Sequence, residues 1–237
     1  MSFEKFWVHQ GDCCLQLRRL IFIMKNRLID LLSDGLIEFD SDFSIELAAE
    51  HLMLYLREWK RWNTKISLTA ERDELSVINK HIYESFQYAR AIPPSGLLVD
   101  LGSGAGFPAI PVKIIRPKVE VDLIESQRKR ANFLKTTIRS IKLSNIQCFH
   151  GRVADFPEFV GKYDFVTLRH VVEPKLSLHL GVRLLSDGGS LVLQTSRDYF
   201  FQPDFLDALL LSLTDEIFFE GSDSSHSKVM VLKRSLI

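Results

Sequence analysis

The chain has 237 residues, 46% of them hydrophobic and 25% charged, with 30 basic side chains balanced by 30 acidic ones. That length and balance suit one sizeable globular domain, or one with a smaller appendage, able to bury enough apolar surface to fold without disulfides or metal. They exclude a globally basic nucleic-acid binder, and no apolar run approaches the ~18–20 residues of a membrane helix.

Residues 1–23 are aromatic-rich and weakly patterned and precede Met24, a candidate internal start, so they are read as disordered or upstream of the true start. The apolar stretch Leu20 to Met24 is too short for a signal-peptide core. A helical pattern runs from Leu15 to Leu32 and stops at Ser33-Asp34-Gly35. Asp42 or Ser44 can cap a second helix reaching about Trp62, and Asp73 a third reaching about Arg90, before Pro93-Pro94. The expected organisation is a helical part over residues 1–93 and an α/β part over 94–237. In the latter, short apolar runs at 97–101, 119–124, 146–149, 163–168 and 190–194 read as buried strands. Helical patterns at 107–116, 127–142 and 172–185 separate them, which implies an open, mostly parallel sheet covered on both faces. Glu216 to Glu220 and Lys228 to Arg234 alternate as a closing antiparallel hairpin around a polar loop. Cys13, Cys14 and Cys148 fit no disulfide framework or zinc site, and the seven histidines show no metal-ligand spacing. The chain is therefore expected to hold no metal and to work in a reducing cytoplasm.

The neutral total hides a cancellation. Residues 96–170 carry 12 basic and 7 acidic side chains, whereas both flanks are net acidic. This positive middle also contains Asp100-Leu101-Gly102-Ser103-Gly104-Ala105-Gly106, leaving the first α/β strand for a helix. Gly102 permits a tight turn, Gly104 lets a ligand approach the backbone, and Gly106 lets the helix pack closely. Glu125 ends the next strand, where a carboxylate can accept from both hydroxyls of a ribose. The Gly-x-Gly-x-Gly spacing after an acidic residue suits S-adenosylmethionine better than a dinucleotide, and no Gly-Lys-Ser/Thr follows to make a P-loop. A purely structural strand-to-helix turn is the competing reading of the glycines.

These residues and their surroundings resemble the RsmG (glucose-inhibited division protein B) family of small-subunit ribosomal RNA methyltransferases. The resemblance runs from about Trp62 to Leu232 and is most specific in the continuation Phe107-Pro108-Ala109-Ile110-Pro111. Leu68-Thr69-Ala70, Arg72-Asp73, His81 with Glu84-Ser85, Glu125-Ser126, Lys129-Arg130, Phe133-Leu134, Gly151 to Ala154 and Arg169 also match. The resemblance implies a Rossmann-like class I S-adenosylmethionine-dependent methyltransferase fold, a seven-stranded sheet behind a helical N-terminal part. It implies methyl transfer to N7 of a guanosine in bacterial small-subunit rRNA, with ribosomal RNA or the small subunit as partner. Gly102, Phe107, Val153, Ala154 and Arg169 would line the cofactor site, joined by Asp100, Gly104 and Glu125 from the residue reading. Ala109, Ser67, Gln194 and Ser227 depart from the family pattern, mainly on the substrate side. A small-molecule or protein substrate, or a non-catalytic cofactor-binding module, therefore stays open.

Guanine N7 presents an in-plane lone pair and no proton, so this chemistry needs alignment rather than a general base. Arg169, where the fourth strand ends, is the candidate orienting residue: it could hold the methionine carboxylate, a phosphate or the target base, or be a surface ion pair. Asp155 is a candidate partner of the adenine amino group. For the RNA, helix 127–142 carries Arg128, Lys135, Arg139 and Lys142 on one stripe and no acidic residue, either a phosphate-contacting surface or a solvated face. Arg57, Lys60, Arg61 and Lys65 interleave with Trp59 and Trp62, read as core packing in preference to base stacking. His81 with Glu84 is expected to pack the helical part onto the cofactor loop, and the protein to be a monomer.

Overall fold

Local capping and apolar spacing account for the first helices. The computed structural model describes residues 4–169, 173–221 and 226–236, with side chains from Leu15 onward. Helix α1 (Glu4–Leu32) extends back through much of the stretch read as disordered. Its last turns bury Met24, Leu28, Leu31 and Leu32, whereas Leu15, Leu17 and Phe22 are exposed. Helix α2 (Ile45–Ile66) is capped by Ser44, whose hydroxyl accepts from the Leu47 amide at 3.2 Å. It ends one turn beyond the expected Trp62, at Ser67 in the left-handed region (φ 48°). Asp73 caps the next segment through the Ser76 amide at 2.8 Å. That segment is not a uniform helix: α3 (Glu74–Val77) widens into a π-helical turn (Ile78–Ile82) before α4 (Tyr83–Ala91). The wide turn changes which side chains face inward, and His81, Glu84 and Ser85 are all buried.

Beyond Pro94 the chain alternates strand and helix. The elements are β1 (Ser95–Leu101), α5 (Ala109–Ile115), β2 (Lys118–Glu125), α6 (Arg128–Ser140), β3 (Ile146–His150), β4 (Tyr163–Leu168) and α7 (Pro174–Val182), then β5 (Leu185–Ser196), α8 (Pro203–Asp207), β6 (Leu211–Glu220) and β7 (His226–Arg234). The sheet order is β3-β2-β1-β4-β5-β7-β6, with β1 to β5 parallel and β7 antiparallel to both its neighbours, β5 and β6. Strand order reverses between β1 and β4, so their C-terminal ends form the crevice where ligands bind in such sheets.

Successive strand residues point to opposite faces. Leu98, Val121, Leu123 and Val192 join one core with α5, α6 and the N-terminal helices, while Val99, Ile124, Val166 and Leu193 join the other with Leu178 of α7 and Leu206 of α8. The N-terminal helices thus share a core with the sheet. Two buried tyrosines fasten them at the crevice end. Tyr55 Oη of α2 donates to the Ala105 carbonyl at 2.6 Å, and Tyr88 Oη of α4 donates to the Leu168 carbonyl at 2.9 Å.

Several boundaries differ from the pattern read in the sequence. The helix expected over 172–185 is described only over Pro174–Val182, and Leu185 instead begins β5, pairing with Tyr163. Its apolar run continues the helical spacing, but pairing resumes across a register shift next to Gly188, whose φ is 75°. Helix α6 stops at Ser140, and Lys142 lies past it at φ 56°, off the expected stripe. Strand β6 starts at Leu211 rather than Glu216, and the short α8 carries no sequence pattern long enough to detect. Replacing Tyr88 by Phe removes this buried hydrogen bond and is expected to cost ~0.5–1.5 kcal/mol in urea unfolding, with an unchanged m-value.

Candidate active site

The glycine loop is built on the end of β1 and held from β2. The amides of Gly102 and Ser103 donate to the Ile124 carbonyl at 2.8 and 3.2 Å. Gly104 sits at φ 55°, and a Cβ there would meet nothing closer than 3.7 Å, so its outer side is open for close approach. Gly106 serves packing: at φ 89°, a Cβ would come within 2.6 Å of Ile110 Cδ1 and 3.2 Å of Leu134. The Phe107–Pro108 peptide that follows is cis.

Glu125 is buried and already engaged by backbone. Its Oε2 accepts from the Gly104 amide at 2.8 Å and its Oε1 from the Gln127 amide at 2.7 Å. One carboxylate therefore joins the end of β2, the glycine loop and the N-terminus of α6, where negative charge is favoured. Each oxygen keeps a second lone pair for a further donor.

Asp100 is 1% exposed; its Oδ1 accepts from Thr167 Oγ1 at 2.7 Å, while Oδ2 is buried and has no partner. Burial raises its carboxyl to about 7, against the opposing Thr167 hydrogen bond and the charge of Arg169, while Ser103 Oγ donates to the Asp100 backbone carbonyl at 3.1 Å. Arg169, just beyond β4, is not a surface ion pair. Its side chain is 7% exposed, and Nη2 donates both to Glu84 Oε2 and, at 2.6 Å, to His81 Nδ1. Its Nε is buried without a partner. The other imidazole nitrogen, His81 Nε2, meets Glu71 Oε2 at 2.6 Å. Burial and then the Arg169 charge lower His81 to about 4, so the ring is neutral at pH 7, with Nδ1 accepting and Nε2–H donating. Burial alone would raise Glu71, but hydrogen bonding, first from His81, holds it at about 2.

The Phe107 ring is enclosed by the helical part: Tyr55 meets it edge-on at 5.4 Å, His81 stacks on it at 4.9 Å, and the Arg169 guanidinium lies 5.8 Å away. Val153 and Ala154 form a 3₁₀ turn after β3, half-buried and exposed respectively, next to Gly151, whose amide donates to the Glu125 carbonyl. Asp155 closes this turn on itself, accepting from the Arg152 amide at 2.8 Å. Among the described residues, no cluster of His, Cys, Asp and Glu could hold a metal, and no helix is long and apolar enough to cross a membrane. The crevice thus gathers Asp100, Gly102, Gly104, Glu125 and Arg169, with Val153 and Ala154 after β3. Sequence reasoning missed Glu71, Tyr55, Tyr88 and Thr167.

The candidate RNA-facing residues lie outside the crevice. Arg128 starts α6 at the rim, and Lys135 and Arg139 follow at about 10 and 16 Å along the helix axis. All three are exposed, and none forms an ion pair among the described residues. Arg130 reaches back to the glycine loop, with Nη1 3.9 Å from where a Gly104 Cβ would stand. Trp59 is fully buried in the core, and Trp62 packs edge-on against Phe133 of α6 at 5.9 Å. Lys60 and Arg61 pair with Glu74 and Glu58, leaving Arg57 and Lys65 exposed.

The strand order and the crevice together define a class I S-adenosylmethionine-dependent methyltransferase fold. Two solved structures share it: a putative transferase, PH0793, from Pyrococcus horikoshii (TM-score 0.54, 17% identity, 65% of this chain and 63% of that one), and M. jannaschii TYW2 in complex with AdoMet (0.55, 18%, 66% and 76%). A family model described as rRNA small subunit methyltransferase G (GidB) matches residues 48–199, and the chain belongs to that family. Ribosomal RNA small subunit methyltransferase G of Streptococcus pyogenes serotype M1 is 40% identical over 150 residues, covering 60% of this chain and 63% of that protein. Its namesake in Clostridium botulinum (strain ATCC 19397 / Type A) is 36% identical over 143 residues, covering 58% and 60%. The matched segments span less than two thirds of these relatives.

Asp100 and His81 pull stability in opposite directions with pH. A carboxyl raised to about 7 contributes stability at low pH that fades as pH rises from about 4 through 7. A histidine lowered to about 4 contributes none near neutrality and costs stability as pH falls from about 6.5 to 4. Asp100→Asn removes the first slope alone. Its stability relative to the parent should therefore climb by up to ~4 kcal/mol between pH 4 and 7 in denaturant titrations.

Proposed function

We propose that the protein is an S-adenosylmethionine-dependent methyltransferase acting on N7 of a guanosine in small-subunit ribosomal RNA, in the cytoplasm. The observation that carries this reading is the pair of buried, unpartnered polar atoms at the reversal of strand order, Asp100 Oδ2 and Arg169 Nε. They are an acceptor and a donor of opposite charge, suited to the ammonium and carboxylate of an α-amino acid. Asp100 would take the methionine ammonium and Arg169 Nε–H its carboxylate. The free lone pairs of Glu125 would take the ribose hydroxyls beside Gly104, and the Val153–Ala154 backbone the adenine edge. S-adenosylmethionine supplies a methyl group already activated on a sulfonium. The chain's own work is then to bind, orient and exclude water. No side chain is assigned to remove a proton, because N7 carries none.

Membership of the methyltransferase G family supports the ribosomal target. The unpaired cations Arg128, Lys135 and Arg139 supply sequence-independent attraction for phosphate next to the crevice. Two experiments test this reading. In calorimetry at pH 7, S-adenosylmethionine should bind with release of up to ~0.5 proton per site, seen across buffers of different ionisation enthalpy, as the ammonium draws Asp100 to its carboxylate form. Asp100→Asn should abolish the release, and methyl label should pass to small subunits or their rRNA at a guanine. NAD binding without S-adenosylmethionine binding would overturn the proposal. Replacing Arg128, Lys135 and Arg139 together by Gln should weaken RNA binding and lower the slope of log K against log salt by up to ~2–3. An unchanged slope removes these residues from the RNA surface.

A further inference from the structure

Arg169, at the end of β4, is held by side chains from the N-terminal helices. Its Nη2 carries two hydrogens, and both are spent: one on Glu84 Oε2, the other on His81 Nδ1. A guanidinium held at one nitrogen by a single carboxylate oxygen can pivot about that bond. Two acceptors on the same nitrogen fix its plane and hence the direction of Nε–H, the buried donor left without a partner. For His81 to be the second acceptor, its Nδ1 must carry a lone pair, which requires a neutral ring with the proton on Nε2. Glu71 enforces that tautomer by accepting from Nε2 at 2.6 Å. Glu71 is held in turn by Asn63 of α2, whose Nδ2 donates to the Glu71 carbonyl at 2.9 Å while its Oδ1 accepts from the Thr69 amide at 3.0 Å. The π-helical turn brings His81 and Glu84 inward together, and Phe107 of the glycine loop stacks on the imidazole.

We propose that His81 is a positioning residue that acts through Arg169: Glu71 sets its tautomer, and it aims the Arg169 Nε–H into the cofactor crevice. The series Glu71⁻···H–Nε2 His81 Nδ1···H–N Arg169⁺···⁻O Glu84 makes the loop between α2 and α3 part of the site. This rests on the assignment of Arg169 to the amino-acid end of S-adenosylmethionine. The charged groups around the imidazole are Glu71 and, 3.6 Å from Glu71, Lys80 on one side, with Arg169 and Glu84 on the other.

The test has one arm that needs the cofactor and one that does not. By calorimetry, His81→Ala should weaken S-adenosylmethionine binding at least ~10-fold, while His81→Gln, whose amide can accept from Arg169 and donate to Glu71, should stay within ~3-fold of the parent. On an Arg169→Ala background, His81→Ala should change affinity less than ~2-fold, because its effect passes through the missing guanidinium. Additive losses, or no rescue by Gln, would overturn the proposal. In the second arm, ¹⁵N shifts of the His81 ring in the ligand-free protein should report the neutral Nε2–H tautomer from pH 8 down to about 5. Glu71→Ala should shift the population toward the neutral Nδ1–H tautomer, while Glu71→Gln should preserve Nε2–H. An Nδ1–H tautomer or an imidazolium at pH 7 in the parent would sink the relay by itself. A parent that shows the expected tautomer but binds no S-adenosylmethionine would overturn the assignment of the crevice and of the Nε–H target, leaving the hydrogen-bond series in place.

Discussion

The buried ion pair between Arg169 and Glu84 joins the two halves of the site. Arg169 stands where β4 ends, and Glu84 comes from the N-terminal helices, 85 residues earlier. Both side chains are almost fully buried, so each is tolerable there only because the other is present. Removing one partner would strand a charge, a change that typically costs ~3–5 kcal/mol, whereas replacing both with matched apolar groups is often neutral. Selection for stability alone would not favour such a pair. It is understandable if the guanidinium must remain at the end of β4 for a ligand and the helical part must keep it in place.

From that constraint the role of the N-terminal helices follows. They do not lie on the sheet as a passive cover. Tyr55 reaches the glycine loop, Tyr88 reaches the last carbonyl of β4, and Phe107 is lodged among Tyr55, His81 and Arg169. At the opposite end of the strands, just before β2, Arg116 donates to the carbonyls of Glu38 and Ala89, so the N-terminal part is secured at both ends of the strands. The glycine loop is thereby defined on one side by β2 and on the other by residues that precede the α/β part. In physical terms the site is a junction between the N-terminal helices and the sheet, which share one core.

What could be read from the amino-acid order was whatever local pattern or short spacing encodes. Strand–glycine–helix at 97–116, the alternating elements after it and the closing hairpin all have periodicities or turn residues of their own. The Glu71–His81–Arg169 series has none: its members are separated by 10 and 88 positions, and only folding brings them together. The π-helical turn has no sequence signature, because one widened turn leaves the apolar spacing almost intact. Glu125 was legible as a crevice residue, but its engagement by the Gly104 and Gln127 amides was not, since it depends on where β2 ends relative to the loop. The start of β5 at Leu185 was hidden by an apolar run that fits a helix equally well, and the register shift near Gly188 becomes visible only in the pairing with β4.

The double grip of Glu125 on backbone amides also bears on how fast a ligand can arrive. A glycine loop of free conformation would have to be ordered during binding, and the affinity would be reduced by the fraction of time it spent in a competent shape. Here Gly104 is fastened to β2 and Gly106 is packed against Ile110 and Leu134 by contacts within the chain itself. These contacts favour a loop already shaped for its ligand. Association is then governed by diffusion and by desolvation of the crevice, and differences in affinity among ligands will be expressed mainly as differences in how long each one stays.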